Sequence, residues 1–156
     1  MANLRESIME ATTTLLRGIS RGEGYQTSPI FVTREFAGMP ELKAGQVALF
    51  IEDGEELRDI IEAPAGSVNS TFTVMIRGYA QDPTGTTELI NRVIYDVKKA
   101  IQAAGGNLGV AAQQSGQAEI WNALITKIEV DMDRETNIAQ AVFTLETKYR
   151  EPRLLA

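Results

Sequence analysis

The sequence predicts an α+β fold, a two-layer sandwich in which a mainly antiparallel sheet carries two amphipathic helices on one face. Two observations lead to this prediction. In two segments apolar residues recur at spacings of three and four, as on one face of a helix, and in several others they alternate with polar residues, as in a half-buried strand. The segments follow one another as helix, strands, helix and hairpin, an order typical of a helical layer on an antiparallel sheet.

The N-terminal part of the chain predicts a helix and then strands. Apolar residues at helical spacing predict the first helix over residues 2–20. Residues 30–32 predict a short strand, and the nearly continuous apolar run at residues 46–52 predicts a strand in the middle of the sheet. An Asp-Gly pair at residues 53–54 predicts a turn. The acidic residues 55–62 suit either an irregular strand or a short helix.

Residues 70–106 carry the most regular pattern. In the predicted strand, alternate apolar side chains point towards the core, while Met75, Arg77 and Tyr79 point the other way. The turn at residues 82–84 suits a helix start, because proline is tolerated in a first turn and Asp or Thr can accept hydrogen bonds from free N–H groups. Apolar residues at helical spacing then predict a helix that a glycine pair at residues 105–106 ends.

The C-terminal part predicts a loop and a hairpin. Residues 105–118 are rich in glycine and glutamine and predict a mobile loop. Two strands follow, joined by a turn at residues 133–137, and they predict an antiparallel hairpin. In the first of these strands four apolar side chains are expected to share a face: Leu124, Ile128, Val130 and Met132.

Composition restricts the class of function. The 156 residues suit a single domain spanning 1–156, and the net charge of −6 disfavours binding to nucleic acid. The chain has no cysteine and no histidine, so a cysteine nucleophile, the usual general base near neutral pH and the commonest metal ligand are missing. We therefore expect no enzyme, no cofactor and no metal site. No apolar run approaches membrane-spanning length, and the N-terminus does not resemble a signal peptide.

Two acidic segments invite a chemical interpretation. Residues 131–142 lack the glycine and the closing glutamate of a calcium loop, so a solvated hairpin tip is favoured there. The other segment is denser and suits a solvated surface, a pair of catalytic carboxylates, or an acidic wall past which DNA slides. Its members are Glu52, Asp53, Glu55, Glu56, Asp59 and Glu62.

Several side chains are candidates for contacts between subunits. Met75, Arg77 and Tyr79 are of types enriched at interfaces, although packing beneath the first helix or the acidic segment would equally explain them. Lys148 and Arg150 are expected to pair with an acidic patch on a neighbouring subunit. The single tryptophan, at position 121, suits a core or an interface.

The chain resembles the tail terminator (tail-completion) proteins of long-tailed bacteriophages. The resemblance lies in LRESIMEATTTLLRGI, LFIEDGEE, FTVMIRGYAQDPTGTTELINRVIYDVKKAI and the ending VFTLETKYREP. It implies a homohexameric ring that caps the tail tube at the tail–neck junction of the virion, after assembly in the host cytoplasm. The implied partners are other copies of the chain, the tail tube protein and a neck or head-completion protein, while genomic DNA passes through the centre without sequence-specific binding.

The resemblance leaves a docking role for the loop and several rival functions. Loops that lack apolar anchors often order against a partner, so Asn107, Leu108, Gln113 and Gln114 are candidates for contact with the tube or neck. The nearest rival is another neck or minor tail component of the same fold, such as a head–tail joining protein. A carboxylate enzyme, a small-ligand module and a cellular dimeric adaptor are the alternatives from other classes.

Overall fold

The computed structural model describes residues 4–35, 38–59, 67–110 and 119–152. Two helices and five strands follow one another in the order α1, β1, β2, β3, α2, β4, β5. Their bounds are α1 Leu4–Arg17, β1 Phe31–Thr33, β2 Gln46–Asp59, β3 Ser67–Gln81, α2 Thr86–Ala104, β4 Glu119–Asp133 and β5 Ile138–Pro152. The sheet order is β1-β2-β3-β5-β4, with β1 parallel to β2 and every other neighbouring pair antiparallel. The predicted α+β fold is confirmed.

The main core lies between the two helices and one face of the sheet. Apolar side chains of α1 and α2 meet the inward side chains of β2, β3 and β5, and the largest of these are fully buried. At Gly78 the helix approaches the sheet closely, because a Cβ there would lie 3.1 Å from Cγ1 of Val93 and 3.3 Å from Cδ2 of Leu49. Both helices therefore cover the same face, as the sequence predicts, and the other face carries neither helix.

The predicted signal is found at the end of α2, whereas the predicted side-chain cap at its start is not. The Asp82 carboxylate accepts hydrogen bonds from the backbone N–H of Thr84 at 3.1 Å and from its hydroxyl at 2.9 Å, which forms the turn before the helix. The helix ends at Gly105, whose φ of 81° is in the left-handed region that favours glycine. The predicted glycine stop is therefore confirmed, while the N-cap residue of α2 is Gly85, so the Asp or Thr cap predicted for the helix start is not formed.

The predicted turn at residues 53–54 is wrong, since β2 continues through it to Asp59. The register with β3 shifts between Asp53 and Glu56, which marks a bulge, and pairing resumes at Glu56 with Phe72. Gly54 lies in this bulge so close to β3 that a Cβ would be 2.5 Å from the carbonyl oxygen of Thr73. The glycine thus permits a close approach of two strands instead of a reversal, and the strand alternative for residues 55–62 is correct as far as Asp59.

A bulge also corrects the predicted faces of β4. The register with β5 shifts between Ile125 and Lys127, so Leu124 pairs with Glu146 on the outer face while Ile128 pairs with Phe143 on the helix-covered face. Leu124 therefore does not share a face with Ile128. β4 is an edge strand of the sheet. For this reason its Val130 side chain remains 55% exposed, although it lies on the helix-covered face.

A buried carboxylate on α2 fixes the segment that leads into β1. Asp96 is fully buried and accepts hydrogen bonds from the backbone N–H of Gln26 at 3.0 Å and of Thr27 at 2.7 Å. The hydroxyl of Thr27 donates to the same carboxylate at 2.6 Å. Nearby, Nζ of Lys99 donates to the carbonyl oxygen of Gly24 at 2.9 Å. These contacts tie α2 to the segment before β1, and its buried members, Asp96 and Thr27, have their hydrogen bonds satisfied.

Candidate assembly surfaces

The interface candidates of β3 differ in how far they are available. Met75 and Arg77 are half-buried on the outer face of the sheet, and Nε of Arg77 donates to Oε1 of Glu52 on the adjacent strand at 3.2 Å. Tyr79 is only 2% exposed. Of the two interpretations left open for Tyr79, packing within its own chain is the one that the structure supports.

Tyr79 belongs to a second, smaller core on the outer face. Its ring meets Phe50 edge to face with the centroids 5.6 Å apart, and Ala48, Ile138 and Leu42 complete the cluster. The cover is thus the segment before β2, and neither the first helix nor the acidic segment. Burial raises the pKa of the Tyr79 phenol, and this phenol oxygen accepts a hydrogen bond from the amide of Gln140 at 3.1 Å.

The acidic segment is divided between surfaces and is partly neutralised. Glu52 pairs with Arg77 on the outer face, whereas Asp53 and Glu56 lie 3.7 Å and 3.9 Å from the guanidinium of Arg5 on α1. Glu56 also accepts a hydrogen bond from the Tyr149 hydroxyl.

Of the three other members of the acidic segment, the structure describes the side chain of Glu55 alone. Glu55, within the bulge, is exposed and forms no ion pair with a described residue. The side chain of Asp59 and the whole of Glu62 lie outside the described residues. The segment is therefore not one uniform acidic wall, and Glu55 is its most accessible described member.

The basic candidates near the C-terminus contact neighbouring strands. Nζ of Lys148 lies 5.6 Å from the centroid of the Trp121 ring, a cation–π arrangement on the outer face. Arg150 donates to Oδ1 of Asn69 at 3.3 Å and lies 3.7 Å from Oε1 of Glu119. Both cations thus already have partners within their own chain. If either also contacts another subunit, it does so while still interacting with those partners.

The predicted docking loop has an apolar anchor that the sequence analysis did not anticipate. Leu108 is 2% exposed and belongs to the main core, with a φ of 54° that is unusual for a residue with a side chain. Asn107 is exposed, and its Oδ1 accepts a hydrogen bond from the N–H of Gly109 at 2.9 Å. Buried Leu108 is therefore not available for docking. Gln113 and Gln114 lie outside the described residues.

Two surfaces at the edges of the sheet are not evident from the sequence. A groove of about 560 Å³ lies between the C-terminal half of α2 and β4, and a pocket of about 370 Å³ lies beside β1. Both are lined by apolar side chains together with ionic ones. Alternation along β4 did indicate a strand, but its place at the end of the sheet depends on the strand order, which the sequence pattern does not contain.

The described residues form neither a cluster of metal ligands nor a membrane-spanning helix. Among them, no three Asp or Glu side chains come together as metal ligands would. In the same part of the chain, no helix combines the length and the apolar character needed to cross a membrane.

Comparison with known proteins yields a likeness in fold. No family model and no curated protein matches the sequence. Among solved structures, the chain is similar to one from the virion of a native gene transfer agent (GTA) particle, with a TM-score of 0.58 and 9% sequence identity. The match covers 91% of this chain and 93% of that chain. At this identity the likeness shows that the two chains share a fold.

Proposed function

We propose that the chain is a structural protein of a phage-like virion. The observation that carries the proposal is the likeness in fold to a chain of a GTA virion, because it extends over nearly the whole of both chains. A shared fold does not by itself imply a shared function. The resemblance in element order and local sequence to phage tail terminators supports the same class independently.

Within such a particle, the function we propose is that of a tail terminator at the tail–neck junction. Copies of the chain form a ring, six in number as the resemblance implies, that caps the tail tube and joins it to a neck or head-completion protein. The tail tube protein and that neck protein are the proposed partners. The two different apolar surfaces at opposite ends of the sheet support self-assembly, because a ring needs two unlike contact surfaces on each subunit.

The ring would leave a central channel for DNA, and its wall is expected to be acidic or neutral. A basic wall would bind phosphate and release counterions, which would retard passage. The net charge of −6 agrees with this requirement, and exposed Glu55 is the best described candidate for the wall. Glu55→Lys should slow DNA ejection from assembled particles, and ejection at the normal rate and yield would remove Glu55 from the wall.

The proposed action is assembly without catalysis and without a cofactor. The chain has neither histidine nor cysteine, so proton transfer near neutral pH and thiolate chemistry lack their usual residues. Three of the carboxylates considered for hydrolysis, Glu52, Asp53 and Glu56, form ion pairs with Arg5 or Arg77. Ion-paired carboxylates of this kind suit a structural role better than an acid–base pair of unlike environments.

Negative-stain imaging of the concentrated protein, with native mass measurement on the same sample, tests the proposal. Open rings of six copies are the expected result, and the position of these rings in a particle separates a terminator from a head–tail joining protein. A dimer at every concentration would favour the adaptor instead. If the protein is monomeric, it would be mixed with isolated tail tubes. Tube ends that remain uncapped would refute the terminator function.

A further inference from the structure

The exposed apolar side chains are concentrated at the two ends of the sheet. Among the described residues nine large apolar side chains are exposed, and seven of them fall into two groups. One group lies at or beside β1 and the other on β4: Ile30, Phe31 and Met39; Trp121, Leu124, Val130 and Met132. Because β1 and β4 are the outermost strands, four strand spacings of about 4.8 Å place these two strands about 19 Å apart.

The surface at β4 is an apolar groove with a basic rim, which we call the β4 groove. Ile101, Ile125 and Ile128 line it, together with Lys98 and Lys127. Lys127 forms an ion pair with Glu129 on the same strand, whereas Lys98 forms none with any described residue. Lys127 pairs with Thr144, so its side chain lies on the outer face, and Glu129 offsets its charge there. Lys98 therefore places an unpaired ammonium group beside the apolar surface, and this suits an occupant that is apolar and carries a carboxylate.

The surface at β1 has the opposite charge, and we call it the β1 pocket. Phe31, Met39 and Phe50 supply its apolar lining, and the rings of Phe31 and Phe50 meet edge to face with centroids 5.3 Å apart. Glu35 and Glu41 line the same pocket, are exposed, and form no ion pair with a described residue. The β1 pocket is thus apolar like the β4 groove but carries acidic groups where the groove carries a basic one.

We propose that the β4 groove of one copy binds the β1 pocket of the next copy, so that subunits join head to tail. Two unlike, complementary surfaces at opposite ends of one sheet generate a heterologous contact, which closes into a ring when the rotation between subunits permits. Contact between two β4 grooves would set lysine against lysine, and like charges facing each other cost free energy. The inference rests on the proposed function, to which it adds the subunit contact.

Charge reversal tests the complementarity. Variant one carries Lys98→Glu, and variant two carries Glu35→Lys and Glu41→Lys. Each alone should require about tenfold higher concentration to assemble, because like charges then face each other. An equal mixture should assemble like the wild type, since the reversed groove of one matches the reversed pocket of the other and the unaltered surfaces also match. Arg92→Glu, exposed elsewhere on α2, is the control that should leave assembly unchanged.

Cross-linking tests the geometry, and the natural absence of cysteine makes it specific. With a short bis-maleimide, the double variant Met39→Cys/Leu124→Cys should give a ladder of covalent oligomers, whereas each single variant stays uncoupled and their mixture gives dimers only. A single Leu124→Cys variant that dimerises would instead show a groove-to-groove contact. Rings that form without the ladder and ignore charge reversal would overturn this contact while leaving the proposed function intact. No ladder at any concentration would also overturn it, and capping of tube ends would then decide the function separately.

Discussion

Removal of the Asp96 carboxylate should be among the most destabilising single changes in the chain. Asp96→Ala leaves the N–H and the hydroxyl of Thr27 without their acceptor, and Thr27 is only 1% exposed. A buried donor left unsatisfied costs about 1–3 kcal/mol. Removal of the carboxylate also removes the cost of burying its charge, which offsets part of this loss, so the two donors together should cost about 3 kcal/mol. For a domain of this size that corresponds to a fall of about 6–12 °C in Tm.

Thermal and urea unfolding followed by circular dichroism measure this loss. Asp96→Asn should fall between the wild type and Asp96→Ala, because the amide keeps one acceptor oxygen for the Thr27 donors. Glu88→Ala is the matched control on the same helix, since its side chain is 80% exposed and its ion pair with Arg92 spans 3.9 Å. A loss below about 1 kcal/mol for Asp96→Ala, or no larger than that of Glu88→Ala, would refute the reasoning.

Three further predictions rest on other contacts. Gly78→Ala should cost about 1–3 kcal/mol in urea unfolding, because its methyl group would press α2 off the sheet, whereas Gly22→Ala, with its nearest atom at 3.9 Å, should be neutral. Emission from Trp121, 47% exposed on β4, should shift to shorter wavelength as rings form, and an unchanged spectrum would place Trp121 outside the contact. Hydrogen bonding to Arg34 lowers the pKa of Glu6, so the stabilisation is present above the ordinary carboxyl pKa and is lost as the pH falls through the lowered one. The stability difference between wild type and Arg34→Gln in a pH series should therefore persist at neutral pH and close as the pH falls through the lowered pKa of Glu6.

The fold was predictable where local chemistry decides it, and less so where two distant segments meet. The turn before α2 and the glycine after it are encoded in neighbouring residues, and the hairpin turn likewise. The bulge of β2 is different, because Asp53-Gly54 is a turn signal in isolation. What keeps this strand extended is its long pairing with β3, in which Gly54 lies against the carbonyl of Thr73. That contact joins residues far apart in sequence, and no local pattern encodes it.

The candidate surfaces were predictable in residue type but less so in position. Alternation correctly separates Tyr79 from the main core, yet a second small core on the outer face buries it, since the segment before β2 folds across that face. Leu108 was assigned to a loop without anchors, and its burial depends on where that loop meets the sheet. The grooves at the sheet ends depend on strand order, because an apolar residue on a strand is buried in the middle of a sheet and exposed at its end.

The position of α2 links stability to assembly in the proposed ring. Lys98 and Ile101 of this helix line the β4 groove, and Asp96, less than two turns before them, holds the segment that leads into β1. The angle between the two contact surfaces decides whether a head-to-tail contact closes into a ring or continues as a filament. Because Asp96 fixes one surface relative to the helix that builds the other, Asp96→Asn should disturb ring closure at temperatures where the variant is still folded. Native mass would then show open or irregular oligomers for Asp96→Asn and closed rings for Glu88→Ala. Identical closed rings for both variants would show that the buried carboxylate does not influence ring closure.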